Sequence, residues 1–155
     1  MVTPIPVTTR ETVHELLTMW GIDVVFDQTQ PDRELARIGT LHSKYLTILS
    51  EHRLAMKVVE QKYYRIRKLK WEYYTGKLNG DKATLEKYGW EPFMFTLKSE
   101  IPSYLEADKD LQLLMTQKSL HEEIVEVCQS ILKELQSRTY QIKDFITWQR
   151  FIQGV

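Results

Sequence analysis

The chain has 155 residues, 43% of them hydrophobic, with 6 glycines, 5 prolines and a single cysteine, Cys128. That apolar share excludes global disorder, and the length suits one domain or two small helical ones. A lone cysteine excludes an internal disulfide framework and fits a reducing compartment. Formal net charge is zero, yet residues 53–82 hold nine Lys/Arg against the three acids Glu60, Glu72 and Asp81. That segment is therefore net +6 and the remainder net −6: a basic patch beside an acidic body.

Residues 1–6 carry neither a basic n-region nor an apolar h-region, and no run of 18 apolar residues occurs. The expectation is a soluble, cytoplasmic protein with no signal peptide and no membrane span. Thr8 followed by Glu11 has capping-box spacing, and a short helix should follow with Val13, Leu16 and Leu17 on one face, ending near Gly21. Asp23-Val24-Val25-Phe26-Asp27 reads as a short extended link. Thr29, Pro31 and Asp32 are helix-start signals, and no proline interrupts the chain from there to Tyr74. A long helix is predicted over about 32–74, carrying Leu35, Ile38, Leu41, Tyr45, Ile48, Ala55, Val59, Ile66, Leu69 and Tyr73 at three- and four-residue spacing. Gly76 is its stop.

Residues 77–106 are the least regular. Asn79-Gly80-Asp81, Pro92 and Pro102 mark turns, 84–88 should form a short helix, and Tyr88, Trp90, Phe93 and Phe95 should pack rather than form a free linker. A second long helix should start near Asp108 with a coiled-coil-like seam of Leu113, Leu120, Ile124, Val127, Ile131 and Leu135. Arg138-Thr139 is the expected break before a final amphipathic helix bearing Ile142, Phe145, Ile146, Phe151 and Ile152. The fold class is all-α: two long helices plus short ones in an extended subunit. The seam should serve both as partner for the first long helix and as an interface between copies.

No catalytic constellation is visible. His14, His42, His52 and His121 contain no pair at the spacing that places two ligands on one helix face, and no cysteine lies near one. The phosphate-cradling G-x-x-x-x-G-K-[ST] pattern and the G-x-S-x-G elbow are absent. No metal, no cofactor and no enzymatic activity are expected.

The informative segment is residues 62–74, Lys-Tyr-Tyr-Arg-Ile-Arg-Lys-Leu-Lys-Trp-Glu-Tyr-Tyr. At about 100° per residue, Ile66, Leu69 and Tyr73 share a core-facing stripe. Tyr63, Arg67, Lys70 and Tyr74 form a second stripe, and Tyr64, Lys68 and Trp71 a third. Cations interleaved with rings suit single-stranded nucleic acid, because ammonium and guanidinium groups neutralise phosphates while rings stack on unpaired bases. The bland alternative is a helical scaffold or coiled-coil interaction protein whose basic helix edge snorkels at a subunit contact.

The segment 67–76, Arg-Lys-Leu-Lys-Trp-Glu-Tyr-Tyr-Thr-Gly, resembles the basic-aromatic L-K-A-R-L-D-Y-Y-S-G motif of the UvsY family of phage recombination mediators. Lys68 falls on the motif lysine, Lys70 on its arginine, Tyr73-Tyr74 on the tyrosine pair and Thr75-Gly76 on Ser-Gly. Trp71 replaces a leucine, Glu72 an aspartate, and Arg67 stands where the motif opens with leucine. Asp23-Val24-Val25-Phe26-Asp27 is similar to the family's D-V-F-I-D, Ala107-Asp108-Lys109-Asp110 to its A-D-K-D, and Cys128, Ser137-Arg138, Ile142-Lys143 and Gly154 match in order. The resemblance spans about residues 11–155; the first ten residues and part of 77–106 look like additions.

The resemblance implies a non-catalytic mediator in the cytoplasm of an infected bacterial host. It would bind single-stranded DNA, contact the phage strand-exchange recombinase and the phage single-strand-binding protein, and help the first replace the second. It would form a closed homo-oligomer of about six or seven copies through its C-terminal region, and Lys68 and Lys70 would carry much of the DNA binding. On these grounds residues 1–106 form the DNA-binding region, with its basic-aromatic helix at about 53–76, and 107–155 the oligomerisation region. The DNA contacts are assigned to Lys62, Arg65, Arg67, Lys68, Lys70, Trp71 and Tyr74. Assembly is assigned to Leu120, Ile124, Val127, Ile131, Leu135, Phe145 and Phe151.

Overall fold

The computed structural model describes residues 8–94 and 96–154; Phe95, whose packing the sequence anticipated, lies outside them. Every regular element among the described residues is helical: α1 (Arg10–Asp23), α2 (Pro31–Tyr74), a 3₁₀ turn (Lys77–Gly80), α3 (Lys82–Tyr88), α4 (Ile101–Ala107) and α5 (Lys109–Gln153). The two long helices have 44 and 45 residues, so each is about 66 Å long at 1.5 Å per residue. No described helix is long and apolar enough to cross a membrane.

The boundaries of α2 follow its punctuation. Pro31 opens it with Asp32 and Glu34 in the first turn, where their charge suits the helix dipole. Gly76 closes the region at φ 78°, a left-handed conformation in which a Cβ is strained. Three expectations shift. The cap of α1 is Thr9, whose side chain accepts from the Thr12 N–H while Thr12 returns the contact. Thr8, one residue earlier, is instead buried. Pro102 begins α4 rather than marking a turn alone, because a proline in the first helical turn gives up an N–H that has no partner there anyway. The break expected at Arg138-Thr139 does not occur, and α5 runs through it. Neither residue is a helix breaker, the Thr139 hydroxyl donates to the Leu135 carbonyl at 3.1 Å, and Arg138 donates to the Val24 carbonyl at 2.6 Å.

The chain folds as two compact units, through both of which α2 and α5 pass. The first comprises the described parts of Met1–Ala55 and Leu120–Val155, the second Met56–Ser119. A division after residue 106 does not coincide with this one, since 107–119 belong with the second unit. The core of the first unit joins Leu16 of α1, Leu41, Tyr45 and Leu49 of α2, and Ile124, Val125, Cys128, Ile131 and Leu135 of α5. Asp23, at the end of α1, anchors the link to α2: it accepts from the Tyr45 hydroxyl at 2.8 Å and pairs with Lys44. Burial alone would raise the Asp23 carboxyl, but these donors outweigh it and hold it below the usual carboxylate range.

The core of the second unit joins Ile66 and Tyr74 of α2, Ile101 and Leu105 of α4, and Leu111 of α5. Tyr63, Leu69, Tyr73, Tyr88, Phe93 and Leu114 pack around it. Of the aromatic residues expected to pack, Tyr88 and Phe93 lie against this core and Trp90 against Tyr73 and Tyr88. Asn79 fastens that stretch by exchanging hydrogen bonds with the backbone of Phe93, donating to its carbonyl at 2.9 Å and accepting from its N–H at 3.2 Å.

Candidate nucleic-acid interface

Along the part of α2 in the second unit, burial divides the cationic residues into two sets. Lys62, Arg65, Arg67, Lys68 and Trp71 are exposed, as is Tyr64 at 62%. The stripe of Tyr64, Lys68 and Trp71 is therefore exposed along its length, though Trp71 shows only 39% of its surface. It extends one step back to Lys57, also exposed. Lys57, Tyr64, Lys68 and Trp71 stand at i, i+7, i+11 and i+14, a row about 21 Å long on one helix face. Lys57 was missed as a site residue because it precedes the family-like motif, although its spacing placed it on the row.

Lys70 and Tyr74, expected to face outward, face the core. Ile66, Lys70 and Tyr74 are spaced by four and form one buried stripe. The Lys70 ammonium lies 2.9 Å from Asp108 and 2.8 Å from Asp110, and 4.1 Å from the ring centre of Trp90. Tyr74 donates to the same Asp108 oxygen at 2.6 Å. The other Asp108 oxygen accepts the N–H groups of Asp110 and Leu111 at 3.0 and 3.1 Å, which makes Asp108 the cap of α5. Burial works to raise the Asp108 carboxyl, but the hydrogen bonds from Tyr74, Lys70 and Leu111 outweigh it and hold it low. For Tyr74, burial and then the Asp108 hydrogen bond push the phenol up, so it stays a donor. The tyrosine pair and the Ala107-Asp108-Lys109-Asp110 stretch, separate in sequence, are thus two halves of one network.

The residues assigned to assembly divide similarly. Ile124, Ile131 and Leu135 are buried in the first unit's own core, so they are not free to meet a second copy; α1 and α2 already cover that face. Val127 packs on the same core, and Leu120 and Phe145 are half-buried. Phe151 is 82% exposed, and Tyr140, Trp148 and Ile152 are also open. Leu113, expected in the seam, is exposed too. Cys128 is fully buried and burial pushes its thiol up to about 11, so it packs as a small apolar group.

The sequence matches the family model described as "Recombination, repair and ssDNA binding protein UvsY" over residues 19–155. The chain belongs to the UvsY family. A relative, the recombination protein uvsY of Enterobacteria phage T4, is 28% identical over 132 residues, covering 85% of this chain and 90% of its own length. The fold is shared with crystal structures of the bacteriophage T4 recombination mediator protein UvsY. One has a TM-score of 0.75 at 27% identity, covering 94% of this chain and 98% of that one. Another has a TM-score of 0.73 at 23% identity, covering 89% and 96%. The family is one of recombination, repair and single-stranded-DNA-binding proteins.

Proposed function

We propose that this protein is a recombination mediator that binds single-stranded DNA along the exposed row of α2 and acts without catalysis. The observation that carries this reading is the uninterrupted exposure of Lys57, Tyr64, Lys68 and Trp71, flanked by Lys62, Arg65 and Arg67, in a chain of the UvsY family. Cations along the row meet phosphates, and the two open rings stack on bases that a duplex keeps stacked on each other. Bound there, the protein would help the phage strand-exchange recombinase replace the single-strand-binding protein in the host cytoplasm. It would do so as a homo-oligomer assembled through the exposed apolar residues of the end of α5. The test is a titration of labelled single-stranded and duplex DNA over a range of salt. If about four phosphates are neutralised, the log–log slope on the single strand is near −3, at roughly −0.7 per contact. Equal affinity for the two forms at every salt concentration refutes the stacking role of the rings.

A further inference from the structure

We propose that a groove between α2 and α5 in the first unit receives the end of α5 from a second copy of the chain. This rests on the assembly reading above, which names the exposed end of α5, and adds the surface that it meets. The groove has a volume of about 690 Å³, within the range of about 300–1,000 Å³ that holds a drug-sized molecule, so several side chains can enter it. Ile38, Leu132 and Leu135 form its apolar floor, while Gly39 of α2 and Lys133 of α5 stand on opposite rims. No residue of α1 lines it. The groove and the end of α5 both belong to the first unit.

Gly39 signals that something outside the chain packs here. It is the one glycine of α2, and glycine is among the poorest helix formers. Its φ is not positive, and a Cβ added to it would meet nothing within 4 Å. Neither the backbone nor packing within the chain therefore calls for glycine at this position, whereas a second helix can approach closely where a Cβ is missing. Apolar side chains from that helix would cover the half-buried Ile38 and Leu132, which favours the contact.

Length and charge choose the occupant. Tyr140, Asp144, Trp148 and Phe151 are spaced by four, four and three residues and are all exposed, so they form one stripe about 16 Å long at 1.5 Å per residue. The rim of the groove on α5 runs from Gln129 to Thr139, about 15 Å on the same basis. Lys133 is the only Lys, Arg, Asp or Glu lining the groove, and Asp144 is the only one in the stripe. Among the described residues neither has an ion-pair partner. Three rings of one copy can thus enter the groove of the next, with one charge of opposite sign on each side. Groove and stripe are different surfaces, so the contact is head-to-tail. Each copy gives one stripe and receives one, which builds a ring where the rotation closes.

The test is sedimentation of the full-length protein over a concentration series, with circular dichroism on the same samples. Gly39→Leu obstructs the groove with a strong helix former. Helicity should hold while the concentration for half-assembly rises about tenfold or more. Lys133→Asp and Asp144→Lys should each raise it by about tenfold or more, because like charges then meet at the contact. The two together should bring it back to within about threefold of the unaltered protein, since opposite charges face each other again. The reversals alter only exposed side chains, so they decide the matter even if Gly39→Leu disturbs α2. Undiminished assembly of Gly39→Leu overturns the groove, and so does a double reversal as weak as the single variants. A dimer as the largest species overturns the head-to-tail contact, by showing that two α5 ends pair with each other. If the unaltered protein is monomeric at every concentration, the assembly reading fails and the groove with it. If it assembles and only the groove variants are silent, that reading stands and the groove alone falls.

Discussion

The ammonium of Lys70 and the carboxylate of Asp108 meet at 2.9 Å with only 7% and 3% of their side chains exposed. A pair this deep has lost its hydration, and its stability contribution lies in staying paired rather than in forming. Asp108 caps α5 and also accepts from Tyr74, so loss of Lys70 strands a buried carboxylate at the point where α2, α5 and Trp90 meet.

Lys70→Met should therefore destabilise the protein by about 3 kcal/mol or more, the range for a buried pair broken from one side. Adding Asp108→Asn should recover part of that loss by removing the stranded charge. The DNA behaviour should separate the two motif lysines. Lys68→Ala should reduce the magnitude of the single-strand salt slope by about 0.7 with little change in stability. Lys70→Met should leave the slope unchanged. Denaturant melts and salt titrations on the same samples decide it; a slope that falls equally for both variants would mean that Lys70 swings out to phosphate.

The extent of α2 was legible because its signals are local: Pro31 at one end, Gly76 at the other and a continuous apolar spacing between. The open stripe of Tyr64, Lys68 and Trp71 was legible for the same reason. Lys70 was not. Its true stripe is Ile66, Lys70 and Tyr74, but a lysine between two apolar residues reads as a surface break in that stripe. The partners that make burial tolerable, Asp108 and Asp110, lie about forty residues further along, and nothing local announces them. The two halves of the network were both visible as motifs, and only folding showed that they meet. Arg138 differs in the same way: a break is expected at Arg138-Thr139, but its guanidinium reaches the Val24 carbonyl at the end of α1 and the helix runs on.

Trp71→Ala should weaken single-strand binding by about 1–3 kcal/mol, the contribution of one stacked base, without changing the salt slope. Trp71 is exposed and its replacement empties no core, so the melting temperature should hold. Fluorescence anisotropy with matched single strand and duplex checks this. A loss that is the same on duplex would make Trp71 a contact of another kind.

Acid should destabilise the first unit through two buried histidines. The Nδ1 atoms of His52 and His121 lie 2.9 Å apart, and Thr8 bridges to His121 at 2.9 Å. Burial lowers both, His121 further by the neighbouring His52, while Glu51 partly offsets the effect on His52. Well above the ordinary value of 6.5 both rings are neutral in folded and unfolded chains, and no difference arises. Below it the unfolded chain takes up protons that the folded chain refuses, so stability falls as pH drops from about 6.5 towards the lowered folded values. Glu51 and Glu15 are the nearby acids: Glu51 acts on His52 through its charge, and Glu15 lines the same small cleft as His52. Thermal melts between pH 7.5 and 5 should show the decline, and His52→Phe with His121→Phe should flatten it. A flat profile in the unaltered protein would contradict the buried pair.

Assembly through the end of α5 is tested by substitution rather than by truncation. Cutting the chain before Arg138 would remove the contact to Val24 and the buried Ile142, so a lower mass could reflect a damaged fold. The exposed residues give a cleaner experiment. Tyr140, Trp148, Phe151 and Ile152 leave 59–82% of their surfaces open, and each large apolar side chain gains roughly 1.5–3 kcal/mol if fully buried. Between Trp148 and Ile152 they recur at three- and four-residue spacing, so part of the end of α5 presents a face that a second copy can cover. Trp148→Glu with Phe151→Glu places charges on that face without touching the core residues Ile124, Ile131 and Leu135. Sedimentation should then show a smaller species with unchanged helicity. Binding to long single strands should weaken with it, although the row on α2 is intact, because several rows held together act through effective concentration. Binding to an oligonucleotide short enough for one row should change little. A double variant that keeps the full mass refutes assembly through this face; one that becomes smaller yet binds long strands as tightly refutes the link between assembly and DNA binding.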